Sequence, residues 1–345
     1  MATNPYSKLP PRAFWRAAIS DVHYAELANL WEPLALTRQD RIATAGSCFA
    51  QHLGNNLARR GAAFMDLEPP PPALFSSVAD ARRFGFRVYS CRYGNIYTTR
   101  QLVQLFDEAF GRRSPEEFVW QRDGRFFDAL RPSVDPVGQA SAEQVKQLRD
   151  VHLARVREMF ETLDVFVFTF GLTEAWLSRG DGTSFPTAPG TLCGEFDAAR
   201  YEFRNFSYPE IVEDMRRFWT GLRAVNPRAR LLMTVSPVPL TATASGDHVL
   251  VATTYSKSVL RAVAGDLARE LPDAHYFPSY EIISSHPSRG MFYDPNLRTV
   301  NEFGVNYVMS HFFSGKLAEA FGGAQEAAEE EDPELVCDEE ALDRK

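Results

Sequence analysis

The chain has 345 residues, of which 45% are hydrophobic and 24% charged, the balance of an ordinary globular domain rather than a disordered or fibrous one. Its net charge of −8 resides at one end, because Glu326 to Lys345 carries ten acidic and two basic residues and leaves 35 of each sign in the body. A neutral body has no field to draw it to nucleic acid or anionic lipid. No run of about 18 apolar residues supports a membrane span, and no apolar signal core begins the chain, so a cytoplasmic protein is expected. The four cysteines (Cys48, Cys91, Cys193, Cys337) show neither C-x-x-C pairing nor the density of a disulfide scaffold, consistent with a reducing compartment and no zinc site.

In chain order, residues 1–37 are proline-rich with an aromatic pair at Phe14 and Trp15, and read as an arm that packs on the domain. The domain proper is expected over 38–323. Its organising stretch is Arg41 to Leu57, in which Ile42, Ala43 and Ala45 suit a buried strand, Gly46 a sharp turn, and Phe49, Leu53 and Leu57 one face of a helix. Ser47 sits at the seam, where free N–H groups at a helix start favour developing negative charge; a serine there is either a nucleophile or a helix cap. Glu68 to Pro72 (EPPPP) leads into an insertion over about 66–140, with a turn at Tyr93-Gly94-Asn95, a helical run from Leu102 to Phe110 and a hairpin around Asp123-Gly124.

From Ser141 the pattern is regular. Capping pairs Ser141/Gln144 and Ser207/Glu210 open helices, Asp164 to Phe170 and Arg230 to Val238 are apolar strands, a helix runs through Val259 to Leu267, a strand spans Ala274 to Ile283, and a last helix spans Gly304 to Phe321. Alternation of helices with fully apolar strands predicts an α/β fold, a mostly parallel central sheet covered on both faces in three α/β/α layers, with ligands outside the strands' carboxyl ends. Residues 324–345 read as an acidic, disordered tail.

Gly46-Ser47-Cys48-Phe49-Ala50, with NPYSKLPPRAFW (Asn4 to Trp15), RYGNIYTTRQL (Arg92 to Leu102), FTFGLTEAW (Phe168 to Trp176), TVSPVPL (Thr234 to Leu240) and YFPSYEII (Tyr276 to Ile283), resembles the GSCFA family, placed among the SGNH-type (GDSL-like) esterases and acyltransferases. The resemblance implies a flavodoxin-like SGNH sheet, Ser47 as nucleophile, and its own N–H with Gly94 and a third-block Gly and Asn as oxyanion donors. Gly171 fits that block, but Thr173 stands in the Asn position with Glu174 beside it, and Thr173 suits either an oxyanion donor or a helix cap. Asn95 joins Gly94 as a candidate substrate contact.

The family's Asp-x-x-His pair falls on Asn296 and Thr299, neither of which is an acid-base group. A substitute base is therefore expected at His286, in a loop after the last strand, with Asp294, Glu281 or Glu174 orienting it. His52, about 140° around the helix from Ser47, is the weaker candidate. Cys48 is expected in the core, as is each of Phe14, Trp15, Tyr93, Tyr97, Trp120 and Trp176, which could otherwise wall a sugar pocket. The expected activity is serine-dependent hydrolysis or transfer of an acyl group, acetyl foremost, on a saccharide or other hydroxyl-ester substrate. No metal, nucleotide or other cofactor is implied. The alternative is a binding or scaffold protein that keeps the pocket without turnover.

Overall fold

Strand-forming stretches without a polar face have to be covered on both sides, and the chain meets that demand with helices. The computed structural model describes residues 4–322 and 337–342. In chain order these form β1 (Arg41–Gly46), α1 (Ala50–Arg59), β2 (Ala63–Phe64), α2 (Val78–Arg83), α3 (Thr99–Ala109), β3 (Val119–Arg122), β4 (Arg125–Asp128), α4 (Ala142–Thr162), β5 (Val165–Phe170), β6 (Glu174–Ser178), β7 (Ser184–Phe185), β8 (Tyr201–Asn205), α5 (Tyr208–Val225), β9 (Arg230–Val235), α6 (Val249–Glu270), β10 (Ala274–Phe277), α7 (Ser279–Ser284), α8 (Glu302–Phe312) and α9 (Lys316–Phe321).

The main sheet has five parallel strands in the order β10-β9-β5-β1-β2. Counted by appearance this is 2-1-3-4-5, the order of flavodoxin-like doubly wound sheets. β5 lies at the centre, pairing Ile42↔Val165 through Gly46↔Thr169 on one side and Val165↔Arg230 through Phe170↔Val235 on the other. Its side chains divide by parity. Phe166, Phe168 and Phe170 enter a core with Phe106, Phe160, Phe218 and Leu267, whereas Val165 and Val167 enter the opposite core with Phe49, Leu53, Leu57 and Phe312. Three layers result, as the sequence predicts.

The expected helix starts hold. Ser141 accepts from the Gln144 N–H, Ser207 and Glu210 close a capping box, and the hairpin turns at Asp123 and Gly124 with φ of +52° and +71°. Several boundaries differ from expectation, and the strand expected to Val238 ends at Val235, just before Ser236-Pro237. The strand expected to Ile283 ends at Phe277, because Pro278 lacks an N–H to continue the ladder and Ser279 starts α7. The last helix breaks after Phe312 and resumes at Lys316, where Gly315 takes φ +51°. The sequence reading also lacks a second, antiparallel sheet, β7-β6-β8, which packs on the β3-β4 hairpin through Trp120, Phe127, Phe185 and Tyr201. The amino-terminal residues lie on the opposite core, with Trp31 stacked on Phe312 and its indole N–H donated to the His311 carbonyl. Of the expected tail, 324–336 and 343–345 lie outside the described residues.

Candidate functional site

Ser47 is placed by two glycines. Gly46 takes φ +133°, and a side chain there would run into the Thr169 backbone, so the chain can leave β1 sharply only with glycine at this point. Gly171, following β5, faces Ser47 so closely that an added β-carbon would sit 3.0 Å from the Ser47 β-carbon. The Ser47 hydroxyl is buried and has no hydrogen-bond partner among the described residues. It is not a helix cap, since α1 starts from Phe49 with no side-chain cap. Its N–H donates to the Thr169 carbonyl at 3.1 Å, so the nucleophile N–H that the resemblance assigns to an oxyanion is engaged here. Cys48 packs with Phe49 in the core beneath.

Asn95 belongs to a buried polar chain whose direction is set by its first member. Arg82 can only donate, and gives an N–H to the Gln51 side-chain oxygen at 3.2 Å. The Gln51 amide nitrogen then donates to the Tyr89 hydroxyl at 3.3 Å, which donates to Asn95 Oδ1 at 2.6 Å. The Asn95 oxygen is thereby occupied and its NH₂ group points onward, an oriented donor. Gly94 is in a left-handed turn, φ +69°, against Ser133 and Val134 rather than against Ser47. The next residues close on the seam: Ile96 donates its N–H to the Gly46 carbonyl at 2.9 Å.

The Gly171-Leu172-Thr173 turn is held from two sides. Tyr97 accepts the Gly171 and Leu172 N–H groups on its carbonyl, at 3.2 and 2.9 Å. From α6, Ser256 accepts the Thr173 N–H at 3.1 Å and Lys257 donates to the Gly171 carbonyl at 2.7 Å. Both α6 side chains are buried. The Thr173 hydroxyl is fully buried with no hydrogen-bond partner among the described residues; strand β6, not a helix, follows it, so the cap reading does not apply. Glu174 accepts from the Thr243 hydroxyl at 2.7 Å, and half-burial raises its pKa.

The expected base is elsewhere. His286 lies beyond α7, its ring stacked on Trp15 with centroids 5.2 Å apart, and no contact joins it to Ser47 among the described residues. Glu281 is tied to Arg261 and to the Tyr276 hydroxyl. Asp294 starts a loop in which its N–H meets the Thr299 carbonyl at 2.9 Å, and the Asn296 amide donates to the Thr299 hydroxyl at 2.8 Å. The Asn296 and Thr299 side chains thus meet across an i, i+3 turn and carry no titrating group. His52 is buried, with its pKa lowered to about 3 by burial first and by Arg59 and Arg82 second. The aromatics do not form one wall: Tyr93 is in the main core, Trp120 and Trp176 pack by the second sheet, Trp15 is exposed, and only Tyr97 lines this site. Gln51, Tyr89, Ser256 and Lys257 are site residues that sequence reasoning missed; each reads as an unremarked member of a helix or core stretch.

The GSCFA family's sequence profile matches residues 41–312, which contain Ser47, Asn95, Gly171 and the Asn296/Thr299 loop. No curated protein matches the chain. The match spans most of the sequence, and the chain belongs to the GSCFA family.

Proposed function

We propose that this chain has an SGNH-type acyl pocket and uses it to bind a small molecule bearing an acyl or carboxyl group, an O-acylated saccharide being the foremost class. The observation that carries the reading is the state of Ser47, a buried hydroxyl at the carboxyl edge of the sheet that no acid-base group meets among the described residues. A serine without a base stays protonated near neutral pH and attacks esters poorly. The Asn95 amide and the Thr173 hydroxyl are donors suited to a carbonyl or carboxylate oxygen.

The second reading is a serine O-acyl esterase or O-acyltransferase, favoured by the same hydroxyl: it makes no competing hydrogen bond that attack would have to break. Treatment with a fluorophosphonate between about pH 6 and 9, the range in which a histidine base would act, separates the two. Peptide mapping is expected to find Ser47 unmodified, and modification at Ser47 that disappears in Ser47→Ala overturns the binding reading in favour of the enzyme.

A further inference from the structure

Asp338 belongs to a strongly acidic segment, yet its side chain is only 4% exposed. Carboxylates are almost never buried so fully unless something recognises them, so the contacts around it require an explanation. Cys337 to Leu342 returns to the domain as a short turn at the site described above. The Asp338 N–H donates to the Tyr97 hydroxyl at 3.2 Å, and the Cys337 sulfur lies 3.9 Å from that hydroxyl and 3.9 Å from an Arg298 guanidinium nitrogen. Ser133 and Asn95 lie near enough to the Asp338 carboxyl to oppose the rise in pKa that burial causes, while its Oδ1 and the Ser133 hydroxyl make no hydrogen bond among the described residues. Asn95 is the oriented donor at the end of the Arg82-Gln51-Tyr89 chain, and Tyr97 is the residue whose carbonyl fastens the turn against Ser47.

From this juxtaposition we infer that Cys337–Leu342 is a built-in occupant of the site on its Asn95 and Tyr97 side, with the Asp338 carboxyl beside Asn95 where the carboxyl or carbonyl oxygen of a free ligand binds. The inference rests on the ligand-binding reading above and adds its regulation. A carboxylate tethered to the domain competes at a high effective concentration, so it lowers the apparent affinity of any free carboxylate for the same donor. Release of the segment opens the pocket. Arg298 and Tyr97 bracket the half-buried Cys337, so the same release exposes its thiol further, while Cys48, Cys91 and Cys193 stay buried.

The test uses the full chain and two readouts. Sodium acetate, titrated against wild type and Asp338→Ala and followed by NMR, is expected to bind the variant about tenfold more tightly, the order of change that loss of a tethered competitor brings. Iodoacetamide modification of Cys337, located by peptide mapping, is expected to quicken by a similar factor in Asp338→Ala, and in wild type as acetate is raised at constant ionic strength. Tyr97→Phe, which removes the hydroxyl that accepts the Asp338 N–H, supplies a second variant and is expected to quicken Cys337 modification as well. Equal acetate affinity in wild type and Asp338→Ala, or unchanged Cys337 reactivity in both variants, overturns the self-occupancy. Absence of acetate binding to either protein, with Cys337 nevertheless released in Asp338→Ala, overturns the ligand-binding reading instead.

Discussion

Gly171 and Ser47 are packed so tightly that the two β-positions would lie 3.0 Å apart if Gly171 had a side chain, with the Tyr97 carbonyl oxygen equally close. That contact fixes where the serine hydroxyl can be. Gly171→Ala is expected to destabilise the protein by about 1 to 3 kcal/mol, the usual cost of forcing a methyl group into a packed interior. Urea unfolding checks this: the midpoint should fall with an unchanged slope, and an unaltered midpoint would show that the turn can give way.

Lys257 holds the other side of that turn. Its ammonium donates to the Gly171 carbonyl at 2.7 Å from a position only 1% exposed, on a helix otherwise fixed by Leu260, Val263 and Leu267. Lys257→Met keeps much of the packing stem and removes the donor. A loss of roughly 1 to 3 kcal/mol is expected, because the carbonyl remains buried without this bond. If Ser47 is positioned through the turn, amide exchange of Gly171 and Leu172 should also rise in the variant, whereas a purely local defect would be confined to α6.

Two buried histidines set the stability profile on the acid side. His152 donates or accepts at Nδ1 against Glu68 at 2.7 Å, and its pKa is lowered to about 4 by burial first and Arg131 next. His52 is lowered to about 3 by burial, Arg59 and Arg82. A base whose folded pKa lies below its unfolded value binds protons more readily when unfolded. The stability it contributes is therefore complete above the unfolded value near 6.5 and lost as pH falls through that value toward the folded one. Between pH 7 and 5 the pair should cost about 4 kcal/mol, at 1.36 kcal/mol per unit for each group. His275 and His311 shift in the same direction. The Glu68 carboxylate, opposed by burial but held low by His152 and the Arg92 N–H, loses its contribution only below its ordinary value of 4.5, whereas the Glu108, Asp214 and Asp338 carboxyls, raised by burial, shift the opposite way and offset part of the histidines' loss. Urea midpoints at the two pH values measure the effect, and His152→Gln should remove about half of it.

The layers of the fold are legible because their cause is local. A strand such as Val165–Phe170, with six apolar residues, has nowhere to go but the middle of a covered sheet, and Ser207 with Glu210 declares a helix start by itself. The second sheet is not legible, since Glu174–Ser178 is short and acquires its strand character only by pairing with Tyr201–Asn205. At the site, Ser47 is visible from its strand-turn-helix setting. The chain Arg82-Gln51-Tyr89-Asn95 is not, because its members are scattered between positions 51 and 95 and meet only when α1 and the insertion fold together. His286 misleads for the same reason in reverse: in sequence its loop reads as following a strand, but Pro278 ends that strand early and α7 carries the histidine away to Trp15.

The missing base offers a gain-of-function experiment. The resemblance lays the family's Asp-x-x-His pair on Asn296 and Thr299, whose side chains meet at 2.8 Å, so the loop already brings i and i+3 together. Arg298 within that loop and the Tyr97 hydroxyl each lie 3.9 Å from the Cys337 sulfur, so the loop borders the segment that packs on Tyr97. The double variant Asn296→Asp, Thr299→His should therefore install a histidine oriented by a carboxylate where only a hydroxyl and an amide now stand. Ester hydrolysis or fluorophosphonate labelling at Ser47 is expected to rise by roughly two to four orders of magnitude over wild type, the contribution a positioned general base supplies. The rate should climb with pH through a histidine value near about 6.5 and vanish in the triple variant carrying Ser47→Ala. Adding Asp338→Ala should raise it further if the terminal segment occupies the pocket. A folded double variant that stays inert, even with Asp338→Ala, would show that the loop does not bring position 299 to the serine.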